Sequence, residues 1–340
     1  LGERISKRIG KQTVRIERPI SILSCGSVAG SKEGQGPLGG RFDIVLEDDK
    51  NNEKSWEKAE SSMVENAIKT AINKAGMTAD DMDYILAGDL LDQSIGSTFG
   101  IRAIDRPFIG LFGACSTFGE SVAVGAMLID GGFAKRVVAA ASSHFCAAER
   151  QFRFPLELGT QRPPTSTWTV TGCGAAVLGN ADNAPFIREI TMGKIVDMGI
   201  KDANNMGAAM VPAAADTLLA HFRDTGRNPR DYDLIVTGDL GYVGKELLIE
   251  IVGNEGFDIS KNYTDCGIEI FDRDTQGTDS GGSGCGCSAV TFAARFYDDL
   301  KSGRLKRILF MPTGALMSKT SAQQGESIPG IAHCMAISHE

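Results

Sequence analysis

The chain has 340 residues, a net charge of -8, 42% hydrophobic residues and 23% charged ones. That composition excludes disorder and supplies apolar material for roughly two domains' worth of core. The negative excess argues against nucleic acid as a partner, because phosphate binding needs a basic surface. No run approaches the ~18 apolar residues of a membrane span, and no charged-then-apolar leader opens the sequence, so a soluble protein without signal peptide or transmembrane segment is expected.

The first eighteen residues carry Arg4, Lys7, Arg8, Lys11, Arg15 and Arg18 against Glu3 and Glu17, and read as a solvated basic arm. Pro19 to Leu23 begins a first strand, ending in the small-residue run Ser24 to Gly30 and a glycine-rich loop, Gly34 to Gly40. From Trp56 to Ala75 apolar residues recur at helical spacing, with Ser55 as cap and Gly76 as stop. Tyr84 to Ala87 reads as a buried strand leading into Gly88-Asp89-Leu90.

Next comes Gly113-Ala114-Cys115-Ser116-Thr117, between the apolar run Phe108 to Phe112 and a helical pattern reaching Asp130. A cysteine at a strand-to-helix turn sits near the N–H groups of the following helix. Those dipoles favour thiolate, which suits a nucleophile or an anion contact; the alternative is a small buried residue packing the turn.

The second half repeats the first. Asp81 to Leu90 matches Asp231 to Leu240, each copy following an amphipathic helix, the second of which stops at Gly226. Gly132 to Val138 matches Gly303 to Leu309. Two matched blocks in the same order predict duplicated β-α-β halves, 1–180 and 181–340, built on parallel strands sandwiched by helices. The eight cysteines, in mostly apolar surroundings, read as reduced thiols rather than a disulfide framework. Cys285-Gly286-Cys287 lacks a four-ligand zinc pattern, and Gly281 to Gly284 lacks the lysine of a phosphate loop, so neither a metal nor a cofactor is expected.

The duplicated plan, the cysteine turn, "GGFAKRVVAAASS" and "TGCGAAVL" resemble the thiolase and ketoacyl synthase III superfamily. Within it the chain is most similar to the stage V sporulation protein AD family of spore-forming bacteria. The strings that carry this are "GLFGACSTFGESVAVGAMLIDGGFAKRV", "SSHFCAAERQFRFPLELGTQRPPTSTWTVTGCGAA" and "DRDTQGTDSGGSGCGCSA". The resemblance implies a thiolase-like, duplicated five-layered αβαβα fold and a homodimer. It also implies a role in moving dipicolinic acid (pyridine-2,6-dicarboxylate), free or as its calcium chelate, into and out of the spore. Peripheral association with the inner membrane, beside integral membrane proteins of the same machinery, follows from the same resemblance.

Acyl transfer on this scaffold needs Cys115 with a histidine and an asparagine from the second half, and the resemblance places these at Gly238 and in the turn Ser280 to Cys287, where neither residue occurs. A non-catalytic binding protein is therefore expected, the alternative being an acyl-thioester transferase using Cys115 with His144, which follows the strand Val137 to Ala141. For a dicarboxylate, Arg150, Arg153 and Arg162 are the candidate anchors, interleaved with Phe152, Phe154 and Trp168, the alternative being that this connection forms a dimer contact or a surface loop. Asp89 and Asp239, at equivalent strand ends, offer hard oxygens for the chelated calcium or serve as helix caps. Cys115, Ser116, Thr117, His144 and Ser283 complete the expected pocket.

Overall fold

The computed structural model describes residues 6–152, 162–183 and 185–340. Five strands come from the first half: β1 (Thr13–Ala29), β2 (Tyr84–Gly88), β3 (Phe108–Gly110), β4 (Arg136–Ser143) and β5 (Gly172–Gly179). Between them lie helices α1 (Trp56–Lys74), α2 (Ile95–Arg102), α3 (Thr117–Asp130) and α4 (Phe145–Phe152). The second half supplies β6 (Phe186–Thr191), α5 (Met206–Thr225), β7 (Leu234–Thr237), α6 (Gly241–Asn254), β8 (Tyr263–Asp265), α7 (Cys285–Thr291), β9 (Arg307–Met311) and β10 (Cys334–Ser338). Ten strands of the eleven-stranded main sheet run in the order β8-β7-β9-β10-β6-β1-β5-β4-β2-β3, and the eleventh, Ile44–Val45, pairs in parallel with the end of β1. Read outward from the central β6–β1 pair, the two halves follow the same sequence of strands, so the duplication is expressed as a palindrome.

Strand alternation sorts the core into layers. In β4, Val137, Ala139 and Ala141 face α3 and α7, while Val138 and Ala140 face α1. In β9, Ile308 and Phe310 point to the same central helices, and Leu309 and Met311 point to α5 and α6. Helix, strand, helix, strand and helix layers thus stack in turn, with α3 and α7 enclosed on both sides. Phe118 of α3 meets Phe292 at 5.9 Å and Phe310 at 6.1 Å between ring centroids, which joins the halves through aromatic contact.

The matched sequence blocks hold each other. Asp83 Oδ2 accepts the N–H groups of Lys135 and Arg136 at 2.6 and 3.0 Å, and Asp233 Oδ2 accepts those of Lys306 and Arg307 at the same 2.6 and 3.0 Å. Each helix predicted from periodicity forms as read: the Ser55 side chain caps α1, and Gly76 and Gly226 take positive φ of 69° and 68° behind α1 and α5.

One expectation changes. Residues 13–18 are not a free arm but the start of β1, because Val14 and its neighbours pair with β6 through Thr13↔Thr191 and Arg15↔Glu189. Lys7 pairs with Asp130 at 2.7 Å, while the side chains of Arg8, Lys11, Arg15 and Arg18 stay exposed on the paired backbone. The strand also runs through the small residues to Ala29. They are small because α1 lies directly on them: a Cβ on Gly26 would stand 2.4 Å from the Ala67 carbonyl oxygen.

Candidate functional site

The turn before α3 is held in a strained form. Ala114 adopts a φ of +49°, a left-handed conformation that costs a side-chain-bearing residue energy and survives only where its surroundings enforce it. Here the enforcing contacts are visible. Ser116 Oγ donates to the Gly113 carbonyl at 2.7 Å, and Thr117 Oγ1 donates to that of Ala114 at 2.6 Å. The Cys285 thiol, at the start of α7, donates to the same Ala114 oxygen at 2.9 Å. From the other side, the short strand Thr313–Ala315 presses close: a Cβ on Gly314 would lie 2.3 Å from the Gly113 oxygen. Ser116 and Thr117, expected in the pocket, are buried components that shape the turn and do not line it.

Cys115 itself is half-buried and faces a cavity of about 160 Å³. Phe112, Phe152, Met206, Met210 and Met317 form apolar walls. Thr167, Thr169, Asn204 and Ser283 contribute hydroxyl and amide groups, and Glu149 a carboxylate. Ser283 and Thr169 stand side by side because Gly282–Ser283 pairs in parallel with Trp168–Thr169.

Behind this wall lies Asp239, fully enclosed. Its Oδ2 accepts from Ser283 Oγ at 2.6 Å and from the Gly284 N–H at 3.2 Å, and its Oδ1 accepts from Thr313 Oγ1 at 2.7 Å. Burial raises its pKa to about 6, against the hydroxyl bonds that favour the charged form. Ser283 Oγ in turn lies 3.9 Å from the Cys115 sulfur. Burial and the adjacent Asp239 charge push the Cys115 pKa well above its ordinary value. The helix N-terminus therefore does not deliver a thiolate: desolvation and a neighbouring carboxylate outweigh its dipole, and the sulfur is a protonated thiol.

The other expected residues divide. Asp89 is buried and gives both oxygens to backbone N–H groups, of Leu91 at 2.9 Å and Ser97 at 2.7 Å, so it organises the start of α2. Glu60 packs against it, one oxygen accepting from Ser142 Oγ at 2.9 Å; burial and the neighbouring Asp89 charge raise its pKa well above the ordinary value. His144 does not meet Cys115. Its predecessor Ser143 points inward, donating to the Val170 carbonyl and accepting from the Gly286 N–H, so the alternation along β4 sends His144 the other way. There its Nε2 contacts the Asp49 carbonyl oxygen at 2.6 Å, and burial lowers its pKa. Arg150 pairs with Glu57 and lies over the Trp56 ring, outside the lining. Arg153 and Phe154 fall outside the described residues.

Arg162 comes nearest to its expected role. Its guanidinium donates to the Thr167 carbonyl and to Glu149 Oε1, both at 2.8 Å, and packs over Phe145 and Trp168. Glu149, Thr167, Thr169 and Asn204 escaped the sequence reading, although the β-branched threonines 165, 167 and 169 around Trp168 are a legible sign of a short polar strand. Among the described residues no cluster of three or more His, Cys, Asp or Glu side chains could hold a metal ion, and no helix is long and apolar enough to cross a membrane.

A family model described as stage V sporulation protein AD matches residues 10–338. The chain belongs to that family. The stage V sporulation protein AD of Bacillus subtilis (strain 168) is 48% identical over 327 residues, 96% of each chain. Solved structures share the fold at lower identity. Cerulenin-bound OleA from Xanthomonas campestris has a TM-score of 0.61 at 14% identity, covering 94% of this chain and 98% of its own. The priming β-ketosynthase of the R1128 polyketide pathway gives 0.59 at 15%, covering 98% of both. The 3-oxoacyl-[acyl-carrier-protein] synthase III of Aquifex aeolicus VF5 gives 0.57 at 12%, covering 94% and 99%. The thiolase-like, ketosynthase III type of fold expected from the sequence is thus the one observed, and the family places the protein in sporulation.

Proposed function

We propose that the protein is a non-catalytic carrier: it binds dipicolinic acid, or its calcium chelate, in the cavity beside Cys115. In this reading it serves uptake into the developing spore and release at germination, as a homodimer working with integral membrane proteins at the spore inner membrane. The observation that carries the proposal is the placement of Cys115 beside the Ser283–Asp239 pair, at the end of a cavity walled by Phe112, Phe152 and methionine side chains.

Acyl transfer would require that sulfur as a thiolate and donors aimed at a developing oxyanion. Asp239 opposes both. The position where the superfamily pattern calls for histidine is Gly238, and a Cβ there would already lie 2.8 Å from the Thr313 nitrogen, so no imidazole fits. Loss of a single oxyanion donor costs about 3 kcal/mol of transition-state stabilisation. Binding a ring has support of another kind. Cavities of about 150 Å³ accept a benzene-sized molecule, and the walls here offer Phe112, Phe152 and methionine faces with the Thr167 and Thr169 hydroxyls for carboxylate oxygens.

Calorimetric titration of the folded protein with dipicolinate, with and without calcium, is expected to give saturable heat; its absence in both conditions would sink the proposal. Incubation with acyl-CoA should leave Cys115 unmodified by mass spectrometry, and an adduct there lost in Cys115→Ala would restore the transferase reading.

A further inference from the structure

Glu149 lines the cavity, while its partner Arg162 does not. The ion pair thus ties the guanidinium to a residue of the cavity wall. Both side chains are largely withdrawn from water, at 12% exposure for Arg162 and 11% for Glu149, and their bond is 2.8 Å long. Arg162 is also fixed in place. Phe145 and Trp168 stack face to face at 4.0 Å and 7°, the guanidinium lies 5.3 and 4.8 Å from their ring centroids, and the Thr167 carbonyl takes a further N–H. Trp168 is itself held in register with Gly282, next to the Thr169–Ser283 pair that faces Cys115. A rigid cation mounted on the cavity wall, already wearing a carboxylate, is an arrangement suited to exchanging one carboxylate for another.

We infer that Arg162 is the anion anchor of the cavity and Glu149 its built-in competitor, which a carboxylate of an aromatic dicarboxylate ligand displaces on binding. This deepens the binding reading above and rests on it for the identity of the natural ligand. The physical logic is one of exchange. An unpaired guanidinium in a dry site is costly, so Glu149 keeps it satisfied when the cavity is empty. A ligand carboxylate then replaces like with like, and the planar fork of arginine selects a carboxylate that can accept two N–H bonds. The second carboxylate is left to the Thr167 and Thr169 hydroxyls, so a ligand with only one should bind more weakly.

The test is calorimetric titration with two probes, dipicolinate and benzene-1,3-dicarboxylate, of the wild-type protein, Glu149→Gln and the double variant Glu149→Gln/Arg162→Gln. The double variant removes both charges of the pair together, and circular dichroism checks that the fold is kept. Removing the competitor in Glu149→Gln is expected to tighten binding about tenfold, and losing the anchor as well to weaken it about 10- to 100-fold relative to Glu149→Gln. Unchanged or weaker binding by Glu149→Gln overturns the inference while leaving the dipicolinate reading standing if the wild type still binds that probe. Tighter binding of benzene-1,3-dicarboxylate by Glu149→Gln, with no response to dipicolinate, upholds the anchor and competitor and overturns the dipicolinate reading. No heat from any variant with either probe overturns both.

Discussion

Asp89 and Asp239 occupy the same place in the two halves, one at the end of β2 and the other just past β7, and the chain uses them in opposite ways. Asp89 spends its oxygens on two backbone N–H groups of the segment that follows it and is sealed against Glu60. Asp239 reaches across the molecule, accepting side-chain hydroxyls from Ser283 and Thr313 and bearing on the Cys115 sulfur. The duplication supplied one scaffold twice. What separates a structural carboxylate from one at a site is the partner each meets: a helix start in the first half, the glycine-rich turn of α7 and the neighbouring cysteine in the second.

The contrast can be broken most forcefully at Asp89. Asp89→Ala leaves two buried N–H groups without acceptors and is expected to cost about 3 kcal/mol, measured by urea denaturation. A cost under about 1 kcal/mol would mean that the two aspartates are not divided as described. At Asp239 the expected signature is reactivity. In the wild type, iodoacetamide labelling of Cys115, followed by peptide mass spectrometry, should be slow at neutral pH and rise only as pH climbs beyond the ordinary thiol range, because the raised pKa keeps the thiolate fraction small. Asp239→Asn removes the neighbouring charge and should speed labelling at pH 8 by about tenfold. An unchanged rate would assign the protonated thiol to burial alone. The smallest effect concerns what the halves share: Asp83→Ala and Asp233→Ala should each cost about 1–2 kcal/mol, equally and additively, since each carboxylate accepts two backbone N–H groups in matching geometry.

Much of the scaffold was legible because its signals are local. The spacing of α1 and α5, the glycines behind them and the repeated blocks all lie within a few dozen residues. The site was legible only as far as the Cys115 turn. The burial of Ser116 and Thr117 as turn bonds follows from a left-handed Ala114 that no spacing announces. The direction of His144 depends on which residues of β4 face inward, and one step of alternation reverses it. Asp239 meets the cysteine turn through Ser283, 168 positions along the chain from Cys115. Glu149 carries no signal in the sequence, and only the fold brings Arg162 to it. The early start of β1 was hidden by its arginines, whose charge suggested solvent while the backbone pairs with β6.

That strand has a consequence for how the protein is made. β1 leaves the ribosome well before β6, and the Thr13–Thr191 contact links residues 178 positions apart. During synthesis the first half can assemble β5, β4, β2 and β3 beside β1 while the outer edge of β1 waits for β6. For that interval a row of unpaired backbone groups is open to any other nascent chain, the circumstance in which strand exchange and aggregation start. Arg15 and Arg18, with Glu17 between them, stand along the waiting segment as charges that discourage such encounters. The basic stretch that reads as a solvated arm thus guards the seam between the halves until the second one arrives.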